Sequence, residues 1–169
     1  MRVLVTAASA HGSTAEIARV IGDELAAQGF NVTVQPPERV RSIADYDAVI
    51  LGSAVYTGHW LKPATNFAAM FRKELAARPV WLFSSGPVGD PAGKLTQAMN
   101  QDPADITGIP ARSHRMFAGK LDPRKLTVPQ RASLLVFRGM RGDFRDWGAV
   151  KVWAFGIAGQ LAAGTERGA

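Results

Sequence analysis

The first thirty residues limit the fold most. Arg2 to Thr6 is a short apolar, β-branched run, and it leads into the small hydroxyl-rich turn Ser9-Ala10-His11-Gly12-Ser13-Thr14. From Ala15 to Gly29, Ile17, Ile21 and Leu25 recur at helical spacing while Glu16, Arg19 and Asp23 take the other face. This predicts a strand, a tight turn and an amphipathic helix. Gly29 stands where a left-handed helix C-cap is wanted, and Asn31 to Val34 reads as a second strand.

The same alternation continues downstream. Asp47 to Leu51 is an apolar run suited to a buried central strand ending at Gly52, followed by a loop from Ser53 to Leu61. Pro63 suits the first turn of a helix running through Phe67, Met70 and Phe71 to Leu75. Pro79 to Ser84 and Ser113 to Phe117 predict a fourth and a fifth strand. Asp146 can cap a last helix whose Val150, Trp153, Ala154, Ile157 and Leu161 share a face, with fraying expected from Gly164 to Ala169. Strands alternating with helices at these intervals predict an α/β fold: one parallel sheet covered on both faces, in a single domain spanning residues 1–169. Its 47% apolar content suffices for one core of that size.

In such sheets ligands bind beyond the carboxyl ends of the strands. Three loops fall there. In the first, Ser9, Ser13 and Thr14 supply hydroxyls, and Gly12 removes the side chain that would block close approach to the helix N-terminus. Unpaired N–H groups and the helix dipole make that turn a phosphate cradle, although Ser13 or Thr14 could equally serve as an ordinary cap. His11 reads as a loop residue facing solvent or a bound cofactor, and not as a metal ligand, since no metal-binding partners accompany it. There is neither a P-loop lysine nor a G-x-G-x-x-G, so a nucleoside triphosphate or a dinucleotide is disfavoured.

The second loop contains Ala54, Val55, Tyr56, Thr57, Gly58, His59 and Trp60. Tyr56 or Trp60 could stack on a flat cofactor ring, or could seal the loop onto the core; the sequence leaves both open. The third, with Ser84, Ser85, Gly86, Pro87, Gly89 and Asp90, offers backbone donors that could wrap a ring edge. With no cysteine in the chain, redox chemistry has to come from a bound cofactor. No acid/base pair stands out as catalytic, and no metal site is expected.

In this order the three loops resemble those of the flavodoxin superfamily, whose phosphate loop is usually written T/S-x-T-G-x-T. His11 replaces the usual third-position hydroxyl. The stretches Gly52 to Trp60, Phe117-Ala118-Gly119-Lys120-Leu121-Asp122 and Gly142-Asp143-Phe144-Arg145-Asp146-Trp147 are similar to the flavodoxin-type, menaquinone-dependent protoporphyrinogen oxidases. The resemblance implies a flavodoxin-like doubly wound sheet of five parallel strands in the order 2-1-3-4-5. It also implies noncovalent FMN held by the three loops, and electron transfer from a reduced organic substrate to a quinone. The alternative is an electron carrier or redox-sensing FMN module without turnover.

Charge bears on that choice. Residues 1–111 carry 9 basic and 10 acidic side chains, and residues 112–169 carry 11 basic and 4 acidic, so the net +6 lies wholly in the last third. Such a field attracts anionic substrates, lipid headgroups or nucleic acid alike. Nucleic acid is not expected, because the basic segment lacks interleaved aromatics and any reader motif. A basic, apolar insertion is expected near 123–145, and within it Leu134 to Phe137 lie among Arg131, Arg138 and Arg141. Those arginines fall within about 80° on a helical wheel, with Leu134 among them. The segment 127–141 suits either peripheral membrane contact or packing on the sheet with its charges in water. The opening Met1 to Val5 is too short and too quickly interrupted for a signal peptide, so a cytoplasmic location, with membrane association through the insertion, is expected. The expected partners are a redox partner or quinone acceptor and an anionic small-molecule substrate.

Overall fold

A computed structural model describes residues 1–56, 58–86, 107–121 and 142–166. Five parallel strands form the sheet: β1 (Arg2–Ala8), β2 (Asn31–Gln35), β3 (Ala48–Tyr56), β5 (Val80–Gly86) and β6 (Ser113–Ala118), in the order β2-β1-β3-β5-β6. A sixth strand, β4 (His59–Trp60), pairs antiparallel with β3. Apart from this added strand, the order is the expected one. Among the described residues the helices include α1 (Ser13–Ala27), α2 (Lys62–Met70), α3 (Arg72–Ala76) and α4 (Trp147–Glu166), and a 3₁₀ turn covers Pro37–Arg39. A small separate ribbon joins β7 (Lys120–Leu121) to β8 (Gly142–Asp143).

Alternation along the central strands builds two cores. Val3, Val5, Ile50, Trp81 and Phe83 face one side, where Ile17, Ile21 and Leu25 of α1 meet Val150, Ala154, Ile157 and Leu161 of α4. Leu4, Val49, Leu51, Val80 and Leu82 face the other, under Phe67, Phe71 and Leu75. Strands buried on both faces read as continuous apolar runs, which is why the central ones were conspicuous in the sequence.

Helix α1 ends as Gly29 predicts. Gly29 adopts φ 86°, its N–H donates to Ala26 O, and Phe30 N–H donates to Leu25 O. These two bonds form a Schellman cap and satisfy carbonyls left over by the last turn. Asp146 caps α4, with Oδ1 accepting from Ala149 N–H at 2.9 Å.

Several boundaries differ from expectation. Strand β1 runs on to Ala8, because small Ala7 and Ala8 keep register with Gly52 and Ser53. Helix α1 starts at Ser13 and so takes in two residues read as loop. The single helix expected through Leu75 breaks at Phe71 (φ −105°, ψ 22°), where the ring turns into the core beside Phe67, 5.0 Å between centroids. Helix α4 continues through Gly164 to Glu166 instead of fraying there; Leu161 anchors its final turns, and residues 167–169 lie outside the described residues.

The largest difference is at Gly52. Instead of ending the central strand, it lies within it, and β3 continues to Tyr56. A Cβ at Gly52 would collide with the Phe83 ring, so this glycine admits an aromatic side chain above the sheet. The stretch Ser53 to Leu61 is accordingly a strand end and a hairpin, not a loop. Of the insertion expected near 123–145, residues 123–141 lie outside the described residues, while Gly142–Asp143 form β8.

Gly52→Ala should overpack this site and lower the unfolding free energy by about 1–3 kcal/mol. Urea denaturation followed by circular dichroism measures it.

Candidate functional site

Strand register sets the level of the site. Ala8 pairs with Ser53, Ala54 with Ser85, and Gly86 with Ala118, so the carboxyl ends of β1, β3, β5 and β6 reach one edge together. The turn after β1 and the hairpin after β3 open at this edge.

At the first of them, Ser9 Oγ accepts a hydrogen bond from Gly12 N–H at 3.0 Å, closing the turn. Gly12 adopts φ 91°, ψ −18°, a left-handed conformation that glycine takes without strain. The first intrahelical bond runs from Glu16 N–H to Gly12 O at 2.9 Å. The N–H groups of Ser13, Thr14 and Ala15 therefore have no partner within the helix, and no side chain among the described residues caps it. Neither Ser13 nor Thr14 acts as the ordinary cap. Thr14 is buried, at 1% exposure, and Ser13 Oγ accepts from Lys120 N–H at 3.1 Å, which leaves the Ser13 hydroxyl able to donate its own proton.

Tyr56 ends β3 and remains 40% exposed, its ring edge-on to His11 with 6.2 Å between centroids. The first and second segments thus meet at this aromatic pair. Partial burial pushes the Tyr56 phenol above its ordinary pKa, because ionisation would place a charge in a poorly solvated position.

Trp60 lies beneath the hairpin at 6% exposure, within the α2-side core. Its indole N–H donates to Ser84 Oγ at 2.9 Å, and Ser84 Oγ also shares a hydrogen bond with His114 Nε2 at 3.0 Å. Ser53 Oγ donates to Ala54 O at 2.8 Å and accepts from Leu61 N–H at 2.9 Å. Two buried serines thereby fasten the hairpin to the sheet. Of the two aromatics the sequence left open, Trp60 seals the hairpin and Tyr56 faces the edge.

The other candidates sit close by. Ala54 and Val55 are buried at the end of β3, and Ser85 is buried in β5. Gly86 lies so close that a Cβ there would come within 3.1 Å of Val55 Cβ. Gly58, at φ 82°, belongs to the β3–β4 turn. Thr57, Pro87, Gly89 and Asp90 lie outside the described residues.

Sequence reasoning gave no role to a charged group behind the first turn. Arg145, whose side chain is only 3% exposed, donates to Glu16 Oε2 in the first turn of α1. It also donates through Nε to Asp143 Oδ1 at 2.7 Å and through Nη2 to Asp143 Oδ2, and its guanidinium lies 4.4 Å from the Trp147 ring centroid. Those bonds hold the Asp143 carboxyl below the usual carboxylate range and push Arg145 further up. Glu16 and Arg145 lie 129 positions apart, so no local spacing announces the pair.

An uncapped helix N-terminus, a left-handed glycine and an available hydroxyl fit a phosphate monoester, and the neighbouring Tyr56 fits a flat ring carried by it. The comparisons agree with that chemistry. A family model described as flavodoxin domain matches residues 4–147, and the chain belongs to that family. No curated protein matches the sequence. A flavodoxin from the domain Archaea is similar at 17% identity and TM-score 0.58, over 96% of this chain and 99% of that one. A flavoprotein from Lactobacillus acidophilus NCFM in complex with FMN is similar at 14% identity and TM-score 0.53, over 68% of this chain and 92% of that one. The rubredoxin oxygen:oxidoreductase of Desulfovibrio gigas is similar at 18% identity and TM-score 0.60; 96% of this chain is covered, but only 36% of that longer protein. Family membership supports FMN as the cofactor and electron exchange with a redox partner as the general role.

Alanine at position 12 would carry about 1–2 kcal/mol of strain at this φ, which the turn relieves by rotating its N–H groups away from the anion. FMN binding has to restore the turn, so Gly12→Ala should weaken FMN about 5–30-fold in a flavin-fluorescence quenching titration.

Proposed function

We propose that this flavodoxin-family chain is an FMN-dependent oxidoreductase of the protoporphyrinogen oxidase type, passing electrons from a reduced, anionic organic substrate to a quinone-like acceptor. The observation that carries the reading is the β7–β8 ribbon. Lys120–Leu121 pairs with Gly142–Asp143, and Lys120 N–H is hydrogen-bonded to Ser13 at the proposed phosphate turn. The described residues on either side of the basic insertion are thereby anchored beside the proposed cofactor site. The basic excess of the last third supports an anionic substrate or surface, where an acidic carrier would need basic partners.

When bound, FMN supplies the redox chemistry of its ring; the chain supplies binding, orientation and electrostatics. Ser9 holds the turn so that the N–H groups of Ser13, Thr14 and Ala15 can meet the phosphate. Tyr56 is a neutral phenol at physiological pH, as any tyrosine is, and partial burial pushes its pKa further up, so its hydroxyl can donate a hydrogen bond and does not serve as a phenolate base. The Ser53 and Ser84 bonds keep the hairpin carrying Tyr56 against the sheet.

No helix among the described residues is long and apolar enough to cross a membrane. We place the protein in the cytoplasm, meeting a quinone-bearing membrane peripherally through 127–141. The second reading, a carrier or redox-sensing module without turnover, is favoured by the near-complete coverage of the archaeal flavodoxin.

Anaerobic incubation of the FMN-loaded protein with protoporphyrinogen and menaquinone should form porphyrin in a quinone-dependent way, followed by porphyrin fluorescence. FMN binding without porphyrin above the protein-free rate selects the carrier. Changing Arg131, Arg138 and Arg141 together to Glu should abolish sedimentation with anionic liposomes at low salt and leave FMN affinity unchanged; unaltered sedimentation rejects the peripheral contact.

A further inference from the structure

Glu16 occupies an ambiguous position. It lies in the first turn of α1, where the helix dipole favours a carboxylate, and two residues beyond Thr14, where that carboxylate would compete with a phosphate for the same positive end. The structure answers this with Arg145. Its guanidinium is almost wholly withdrawn from water, while Glu16 and Asp143 are 41% and 39% exposed, so the cation is the enclosed member of the group. A cation so placed binds its carboxylates more tightly than an exposed pair does, and stacking on Trp147 fixes the plane of the fork.

Arg145 bridges Glu16 and Asp143, and Arg145 and Lys120 both help to hold Asp143 ionised. The same group also joins the ribbon to the phosphate turn at a second point, besides the bond from Lys120 N–H to Ser13 Oγ.

We propose that Arg145 is a positioning residue for FMN: by engaging Glu16 it keeps the positive end of α1 free for the phosphate, and so sets the preference for FMN over riboflavin. The inference rests on the reading of Ser9 to Thr14 as the phosphate site. Arg145 does not itself touch the ligand. It acts through Glu16, so its contribution should be specific to the phosphate, screened by salt and dependent on the Glu16 charge.

The test measures FMN and riboflavin dissociation constants for the full-length apoprotein by fluorescence quenching. Arg145→Gln removes the buried guanidinium that engages Glu16, and FMN should weaken about tenfold at low salt while riboflavin stays within about twofold. The FMN deficit should shrink towards 1 M salt, where the screening length falls to about 3 Å. Adding Glu16→Gln to Arg145→Gln should restore most of the FMN affinity, a coupling that a double-mutant cycle isolates. A residue that merely fastens the ribbon predicts something else: FMN and riboflavin weakened together, without salt dependence or rescue, and that result overturns the proposal. Should Arg145→Gln fail to fold, Arg145→Lys keeps the cation and loses the fork; it should hold the FMN-to-riboflavin ratio within about twofold of the parent, and a collapsed ratio overturns the charge argument. Gly12→Ala separates the two levels. A ratio lowered by Gly12→Ala but not by Arg145→Gln removes only the role of Arg145, whereas a ratio moved by neither removes the phosphate site and the proposal with it.

Discussion

Strand β1 pairs with β2 on one side and with β3 on the other, and everything else depends on the register of those two ladders. A strand enclosed on both edges and both faces cannot slip by one residue without exchanging its two core faces, so Val3 and Val5 toward α1, and Leu4 toward α2, fix it. Once it is fixed, Ala8 must end beside Ser53, and the turn after it must open at the same edge as β3 and β5. The site lies where it does because of core burial, before any functional residue is considered.

Within that frame the polar groups at the edge divide into those that build and those that remain available. Ser53 and Ser84 build: their hydroxyls are buried and committed to Leu61, Ala54, Trp60 and His114. Buried hydroxyls need such partners, since an unsatisfied one costs about 1–3 kcal/mol. The first turn of α1 behaves in the opposite way. Ser9 satisfies Gly12, but no side chain among the described residues caps the helix start, and the left-handed glycine places no Cβ beside it. One edge of one sheet thus holds a rigid hairpin beside an open anion cradle, with His11 and Tyr56 at their junction.

This division explains what could be read from the sequence. The parallel sheet was legible because buried central strands are apolar without interruption, and α1 because Ile17, Ile21 and Leu25 mark its inner face. Gly29 was legible as a cap because helix C-termini favour a left-handed glycine. Gly52 misled for a related reason: a glycine in a strand reads as a stop, and only the Phe83 ring, thirty-one positions away, shows that it makes room for a close approach. Two-residue β4 is too short to leave a periodic signal, so the hairpin read as a loop. The roles of Trp60 and Tyr56 could not be separated beforehand, because the distinction lies in where Ser84 stands in the neighbouring strand. Ser9, Gly12, Ser13 and Thr14 were legible as a group. The Arg145 cluster behind them was not, because its members come from opposite ends of the chain.

That cluster bears on how one fold can serve differently charged roles. A phosphate dianion at an uncapped helix end needs only N–H groups and hydroxyls, so the family's cradle works on a chain of either net charge. The one carboxylate in the first turn of α1, Glu16, is met by a cation from the last third of the chain, where the basic excess lies. The excess then has two separable parts. Arg145 is enclosed, locally neutralised by Glu16 and Asp143, and contributes little to any long-range field. Arg131, Arg138 and Arg141 of the insertion make up another part of that excess in the sequence. The ribbon of Lys120–Leu121 and Gly142–Asp143 is where the two parts join, one strand bonded to the phosphate turn and both leading into the insertion.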